Sequence, residues 1–342
     1  MSRCEPLQPA SSGFETWRES WKYQTSTEIG PLKLGGRVAV LFHGKIGTLH
    51  AAASSMTAPR PHASAAVVRK TFHQFNSSVL AANEARFVTD VYVHSWNPEV
   101  ADVVDGLYRP LCSLHELGMN STSSARSQAR SLARVIRLVR GHEDREPEFK
   151  HEMYLALRHD VYFLDALHYE FVPQAPLVFA QHCCAKRNEQ QINIVDYCKV
   201  SRYIGKSARR STTSDYNMYF MDWFFIARPS AIDSFAYIDA RFDWYTRRIH
   251  ALSINRQWTH FYWSYHTHFV LNATDTVRFH MIGGMNYSLT RHAPPPFAIG
   301  DRVAFPADPP GLFASGRRMC PHVGRVFARK KAPNLKKQSF TK

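Results

Sequence analysis

Apolar and polar residues come in blocks along this chain, and the blocks carry two periods. Residues 37–47, "RVAVLFHGKIG", stay apolar for five positions and then break into a glycine-containing loop. That is the pattern of a strand buried on both faces and followed by a turn. Residues 63–85, "ASAAVVRKTFHQFNSSVLAANEA", predict a helix, and 87–100, "FVTDVYVHSWNPEV", a second strand running into a polar loop. A helix over 124–140 follows, in which Leu132, Val135, Ile136 and Val139 keep the i, i+3, i+4, i+7 spacing of a buried face. "MYLAL" (153–157) is a third strand, unbroken until Arg158, His159 and Asp160. Beyond it, "PLVFAQH" (176–182) predicts a strand, and "DWFFIARPSAIDSF" (222–235) a strand, a proline turn and a helix start. "WTHFYWSYHTHFVL" (258–271) reads as a helix and "DTVRFHMI" (275–282) as a late strand.

Strands alternating with helices predict an α/β fold, a mostly parallel mixed sheet flanked by helices. Residues 1–35 are polar and irregular and read as an extension. Near Ala293 the proline-rich "HAPPPF" marks the end of the globular part. The expected organisation is therefore an extension over 1–35, one domain over 36–292, and a proline-rich, then basic, tail over 293–342.

Charge changes this picture little once it is localised. The net charge of +15 over 342 residues is concentrated in the tail, where residues 317–342 hold nine Lys/Arg and no Asp/Glu. The remainder carries about +6. Such a tail can touch phosphate or an anionic lipid surface, or stay a solvated end. No RRM, KH or zinc-finger signature accompanies the charge, so sequence-specific nucleic-acid binding is not expected. Arg126, Arg130, Arg134 and Arg137 form a stripe opposite the apolar face of the 124–140 helix, read either as a solvated face or as a phosphate-binding surface.

No apolar stretch is long enough to cross a bilayer, and "MSRCEPLQPASSGFETW" (1–17) lacks the apolar core of a secretory signal. Four N-x-S/T sequons, at Asn76, Asn120, Asn272 and Asn286, fit a lumenal chain, and the cytoplasm stays open too. The six cysteines form no CxxC pair, and "QHCCAKRN" (181–188) lacks a second ligand pair for a metal.

Candidate chemistry collects where open α/β sheets bind ligands, at the carboxyl ends of strands. "FHGKIGT" (42–48) follows a strand as phosphate loops do, but Lys45 precedes Gly47, so it is not a Walker A. "VYVHSWNP" (91–98) ends its strand with polar groups and an indole that can orient a base or sugar. Charges at 158–160 fit either a ligand site or a surface salt bridge.

In order, these pieces are a small-residue loop, a strand ending "HSWNP", a helix bearing Gln128, an apolar strand closed by R-x-D-x-x-F, and "DWFFIARPSAIDSF". Over roughly 36–290 the chain resembles the GT-A-type glycosyltransferases of polysaccharide and lipopolysaccharide synthesis. The resemblance implies a single GT-A-like, Rossmann-like domain, a nucleotide-diphospho-sugar donor and a glycan or glycolipid acceptor. It places His43, Gly44, Ser95, Trp96, Gln128, Arg158, His159 and Asp160 on the donor. Asp160, the acid of a reduced D-x-D motif, would hold Mn2+ or Mg2+, hard cations that take oxygen ligands. The first carboxylate of a full D-x-D is replaced by Arg158, which could stabilise the leaving diphosphate itself. Asp222 is the first choice for a general base, beside its reading as a cap or turn carboxylate.

Many relatives carry a Glu before the late helix, where "WSYHTHF" (263–269) leaves His266 or His268 to take the catalytic role, or neither. Trp223, Tyr262 and Trp263 are either a stacking platform for sugar or core. Two rival functions remain, a sulfotransferase using the Gly47–Thr48 loop and a non-catalytic binding protein on a degenerate GT-A fold.

Overall fold

The computed structural model describes residues 30–47, 65–118, 123–163, 166–172, 174–179, 222–251, 259–271, 273, 278–279 and 287–289. In chain order the strands are β1 (Arg37–His43), β2 (Val88–Ser95), β3 (Cys112–His115), β4 (Met153–Arg158), β5 (Val161–Phe163), β6 (Leu177–Phe179), β7 (Phe224–Ala227), β8 (Arg278–Phe279) and β9 (Tyr287–Leu289). Seven form one sheet in the order β3-β2-β1-β4-β7-β6-β8, and β5 pairs with β9 apart from it. β1 lies parallel to both β2 and β4, and β2 is parallel to β3. β7 runs antiparallel between β4 and β6. The expected α/β class and mostly parallel mixed sheet are therefore observed.

The helices are α1 (Ala65–Phe75), α2 (Ala101–Tyr108), α3 (Ser124–Arg145), α4 (Pro229–Ala240), α5 (Phe242–Ala251) and α6 (Thr259–Tyr265). α1 continues through a π turn, Asn76–Leu80, to Asn83. Two apolar layers cover the sheet. On one face Ala39, Leu41, Tyr92, Ala156 and Phe225 pack under α3 to α6. On the other, Val38, Val40, Phe42, Val93 and Leu157 pack under α1 and α2. α3 starts at Ser123, whose hydroxyl accepts the Arg126 N–H at 3.2 Å, an N-cap that satisfies one orphan donor. Pro229 opens α4, where a missing N–H costs nothing.

Five elements lack a counterpart in the sequence pattern: β3 with four residues, the three-residue β5 and β9, the short α2, and the polar-rich α5. α2 ends at Arg109, a non-glycine residue with φ 46°, immediately before Pro110. Three of the four arginines in the α3 stripe pair with acids on neighbouring elements. Arg126 pairs with Asp243 and Arg130 with Asp239, both at 3.3 Å, and Arg134 with Glu116 at 3.4 Å. These pairs join α3 to α5, α4 and the end of β3. Cys112, buried in β3, is disulfide-bonded. No helix among the described residues is long and apolar enough to cross a membrane. The cysteine pair 183–184, the sequons at 120, 272 and 286, and the tail lie outside the described residues.

At the amino end of the parallel strands, charge is buried but fully matched. Arg37 forks onto Asp90 with two bonds of 2.9 Å. His151 lies between Asp90 (Nε2 to Oδ2, 3.0 Å) and Glu143 (Nδ1 to Oε1, 2.6 Å). Arg140 reaches Glu143, and forks onto Asp233 at 2.7 and 3.0 Å. Both ring nitrogens of His151 face carboxylates, which only accept, so the ring is an imidazolium. Burial alone would lower its pKa, but bonds to Asp90 and Glu143 hold it above the ordinary value. Burial likewise pushes Glu143 up, yet His151, Arg140 and Tyr154 draw it down to about 2.

This network predicts a stability plateau limited on both sides. The raised His151 contributes stability that is complete below about pH 6.5 and is lost as pH rises through its folded value. The depressed Glu143 contributes above its ordinary value and is lost as pH falls towards about 2. His151→Leu should cost about 3 kcal/mol near pH 6 by leaving buried carboxylates underpaired, and should remove the alkaline decline. Urea unfolding from pH 4 to 10 measures both. An unchanged alkaline slope in the variant would assign that slope to another group.

Candidate functional site

Because β1, β2 and β4 are parallel, their carboxyl ends emerge at one rim. β7, running the other way, begins there, and Arg158 donates its backbone N–H to the Trp223 carbonyl at 3.2 Å. Residues far apart in sequence therefore meet: His43 and Gly44, Ser95 to Asn97, His115 and Glu116, Arg158 to Asp160, and Asp222.

The charged centre of the rim is Arg158. Its guanidinium forks onto Asp160 through Nε (2.9 Å) and Nη2 (2.7 Å). Its Nη1 faces both oxygens of Asp222 at 3.4 Å. Both acids are buried, so this is a low-dielectric triad of one cation and two anions. His260 Nδ1 lies against Asp222, 3.1 Å from its backbone N–H and 3.2 Å from Oδ1. His43 lies beside Arg158 in register on the next strand, its ring 6.1 Å from that of Trp263. Burial, and then the charges of its neighbours, push the His43 pKa well below the ordinary value. Both its ring nitrogens are buried without a hydrogen-bond partner among the described residues, as is the Trp263 indole nitrogen.

Two carboxylate–histidine–serine relays pin the loops around this centre. Glu116 accepts from His94 Nε2 (2.9 Å), His94 Nδ1 accepts from the Ser131 hydroxyl (2.7 Å), and Ser131 Oγ accepts the Gly44 N–H (2.6 Å). Burial lowers the His94 pKa despite the opposing bond to Glu116, which keeps the ring neutral. On the opposite face, Asp105 accepts from His115 Nε2 (3.0 Å), His115 Nδ1 meets Ser95 Oγ (2.8 Å), and Ser95 Oγ accepts the Asn97 N–H (3.3 Å). Neither is a nucleophile relay, since both serines are 0% exposed and each hydroxyl is taken by a backbone donor. Cross-links join the two loops, Trp96 N–H to the Gly44 carbonyl (3.2 Å) and Ile46 N–H to Asn97 Oδ1 (2.8 Å).

The residues singled out from the sequence divide sharply against this geometry. Arg158, Asp160 and Asp222 come together, with His43 beside them. Gly44 and Ser95 serve the loop framework, and Trp96 donates its indole N–H to the Ser127 carbonyl at 3.2 Å. Gln128 is spent on both ends, donating to the Asp222 carbonyl (3.3 Å) and accepting from Thr259 (2.9 Å). His159 donates to the His94 carbonyl at 3.0 Å and stacks on Phe42, and burial lowers its pKa to about 4.

His266 is placed in the core, its two nitrogens on Tyr245 OH (2.6 Å) and Ser234 Oγ (2.8 Å), with burial lowering its pKa to about 3. No face of it is left for an acceptor. His268 stands in the π turn after α6, and its side chain lies outside the described residues. Trp223, Tyr262 and Trp263 are buried, the last against Phe225 at 5.0 Å, so they form core and no platform. Thr48 lies outside the described residues.

Mn2+ or Mg2+ fits this donor set poorly. Both Asp160 oxygens already accept from Arg158, where an octahedral cation would want them. Among the described residues, no group of three His, Cys, Asp or Glu side chains is placed to hold a metal ion. Pattern reading missed Glu116, Ser131, His115 and Asp105. The available signal was the pair of dipeptides His94–Ser95 and His115–Glu116 on neighbouring strands, each sending one side chain to either face.

No protein-family model and no curated protein matches the chain in sequence. Among solved structures, it is similar to a glycosyltransferase involved in the glycosylation of the major capsid of PBCV-1. The identity there is 9% and the TM-score 0.35, covering 72% of this chain and 81% of that one. It is also similar to the mannosyltransferase Ktr4p of S. cerevisiae at 9% identity and TM-score 0.32, covering 81% of each chain. Likenesses this remote assign no function, which has to be argued from the site.

Gly44 carries the framework's one backbone demand. Its φ of 102° lies where side chains are strained, although a Cβ there would meet nothing within 4 Å. Gly44→Ala should therefore destabilise by about 1–2 kcal/mol through backbone strain alone. Urea unfolding at neutral pH measures it, and a neutral effect would show that the loop relaxes to negative φ.

Proposed function

We propose that this chain is a glycosyltransferase that moves a sugar from a nucleoside-diphosphate sugar to a hydroxyl of a glycan or glycolipid. The observation that carries the reading is the Arg158–Asp160–Asp222 triad at the carboxyl rim of the parallel strands, with the unpartnered His43 beside it. In the transfer, the acceptor oxygen bonds to the anomeric carbon while the bond from that carbon to the diphosphate breaks. The acceptor proton passes to a carboxylate, for which Asp222 is the candidate, and the nucleoside diphosphate leaves with the electron pair. Negative charge grows on the diphosphate as the anomeric carbon becomes oxocarbenium-like, and a guanidinium preorganised in a dry site stabilises it. Arg158 takes this role in our reading, and no step is routed through a metal.

One feature favours a second reading. Arg158 is engaged by two acids at once, as expected of a purely structural triad on a non-catalytic binding protein. The two readings part on substitution. Arg158→Ala should reduce sugar transfer about 10²–10³-fold, the usual cost of losing one stabiliser of developing charge. Asp160→Asn, which keeps the shape and one acceptor, should be mild, and a chelator should change nothing. Radiolabelled sugar transfer from a panel of UDP-, GDP- and CMP-sugars, with and without EDTA, measures all three. Chelator-sensitive transfer abolished by Asp160→Asn would return the role to a metal. No transfer, with Arg158→Ala unfolding the protein, would favour the structural triad.

A further inference from the structure

We propose that Lys45 is the cation of a diphosphate-binding site at this rim, with Glu116 and Asp105 as positioning residues that act on it through the two relays. This rests on the glycosyl-transfer reading for the identity of the natural ligand, not for the site itself. The first argument is charge. Among the described residues at the rim, the guanidinium groups already face acids: Arg158 has Asp160 and Asp222, and Arg134 has Glu116. Lys45 is exposed and makes no ion pair among the described residues. Among the described residues, Lys45 is therefore a cation that an arriving anion need not take from a carboxylate.

The second argument is placement. The residues on both sides of Lys45 are pinned by their backbone N–H groups, Gly44 to Ser131 Oγ at 2.6 Å and Ile46 to Asn97 Oδ1 at 2.8 Å. Ser131 is held by His94 and Glu116, and Asn97 by Ser95, His115 and Asp105. A lysine on an ordinary surface loop has no such support on either side. The stem of Lys45 crosses a glycine, since a Cβ on Gly118 would lie 3.6 Å from Lys45 Cε and 3.7 Å from Trp96 Cβ. Lys45 sits two residues beyond His43, whose buried ring has both nitrogens unpartnered beside Arg158. Rigidity of this kind matters because a preorganised donor loses less on binding.

Calorimetry on the full chain with sodium pyrophosphate, and separately with nucleoside-diphosphate sugars, tests the proposal. Lys45→Ala should weaken both by about tenfold or more, as expected for one charge-assisted contact, and Lys45→Arg should restore most of the loss. Glu116→Gln and Asp105→Asn should each weaken binding severalfold, and that effect should vanish in the Lys45→Ala background, because it acts through Lys45. Sugar nucleotides that bind wild type and Lys45→Ala equally would overturn the site and leave the glycosyl-transfer reading standing. Lys45-dependent binding of pyrophosphate with no binding of any sugar nucleotide would keep the site and remove that reading. Failure of both ligands would overturn both. Equal losses for Glu116→Gln in the two backgrounds would refute the positioning role.

Discussion

The constraint on which the rest depends is the sealing of β1. Its backbone is paired along both edges, to β2 and to β4, and Val38 to Leu41 are fully buried on both faces of the sheet. Neither edge nor face of this strand can host a polar group at low cost, since an unpaired polar group in such an interior costs about 1–3 kcal/mol. Polar chemistry is therefore driven to its two ends. At the amino end Arg37 leaves the strand straight onto Asp90. At the carboxyl end the chain must turn at once, and Gly44 allows that turn with a φ that other residues resist.

The two ends solve their polar problem differently, and the difference locates function. Around His151 every acceptor has a donor, and the cluster closes on itself from Arg37 to Asp233. A fully satisfied network of that kind fixes strand and helix positions and has nothing left to offer a ligand. At the carboxyl rim the relays through His94 and His115 are equally complete, yet His43 on the adjoining β1 keeps both nitrogens without a partner among the described residues. A buried polar ring left so in a native fold needs an explanation beyond packing.

Much of this was legible in the chain. Five-residue apolar runs gave β1 and β4, and the i, i+3, i+4, i+7 spacing gave α3, because both are buried deeply enough for pattern to dominate. β3 and α2 are too short to show a period, and the antiparallel direction of β7 has no local signature, since alternation looks the same from either end. Strand-end position identified Arg158 and Asp160. Their third partner, Asp222, is 64 residues from Arg158, so the triad is a product of topology. The core position of His266 is not legible for the opposite reason. In an aromatic-rich helix no polar face reports which side is inward, and the ring proved to be bonded between Tyr245 and Ser234.

The position of Arg158 between Asp160 and Asp222 then acquires a physical meaning. Two carboxylates at one dry rim repel each other, and something positive must lie between them. A divalent cation can do so only while bound, whereas a guanidinium tethered to β4 does so permanently and keeps both acids in place. The arrangement holds its charge without a ligand, but a net negative triad on its own would repel a diphosphate. A second cation nearby would offset that repulsion for the anionic donor we propose. Lys45, exposed and with both neighbouring amides pinned by bonds to Ser131 and Asn97, is the residue we propose for that role.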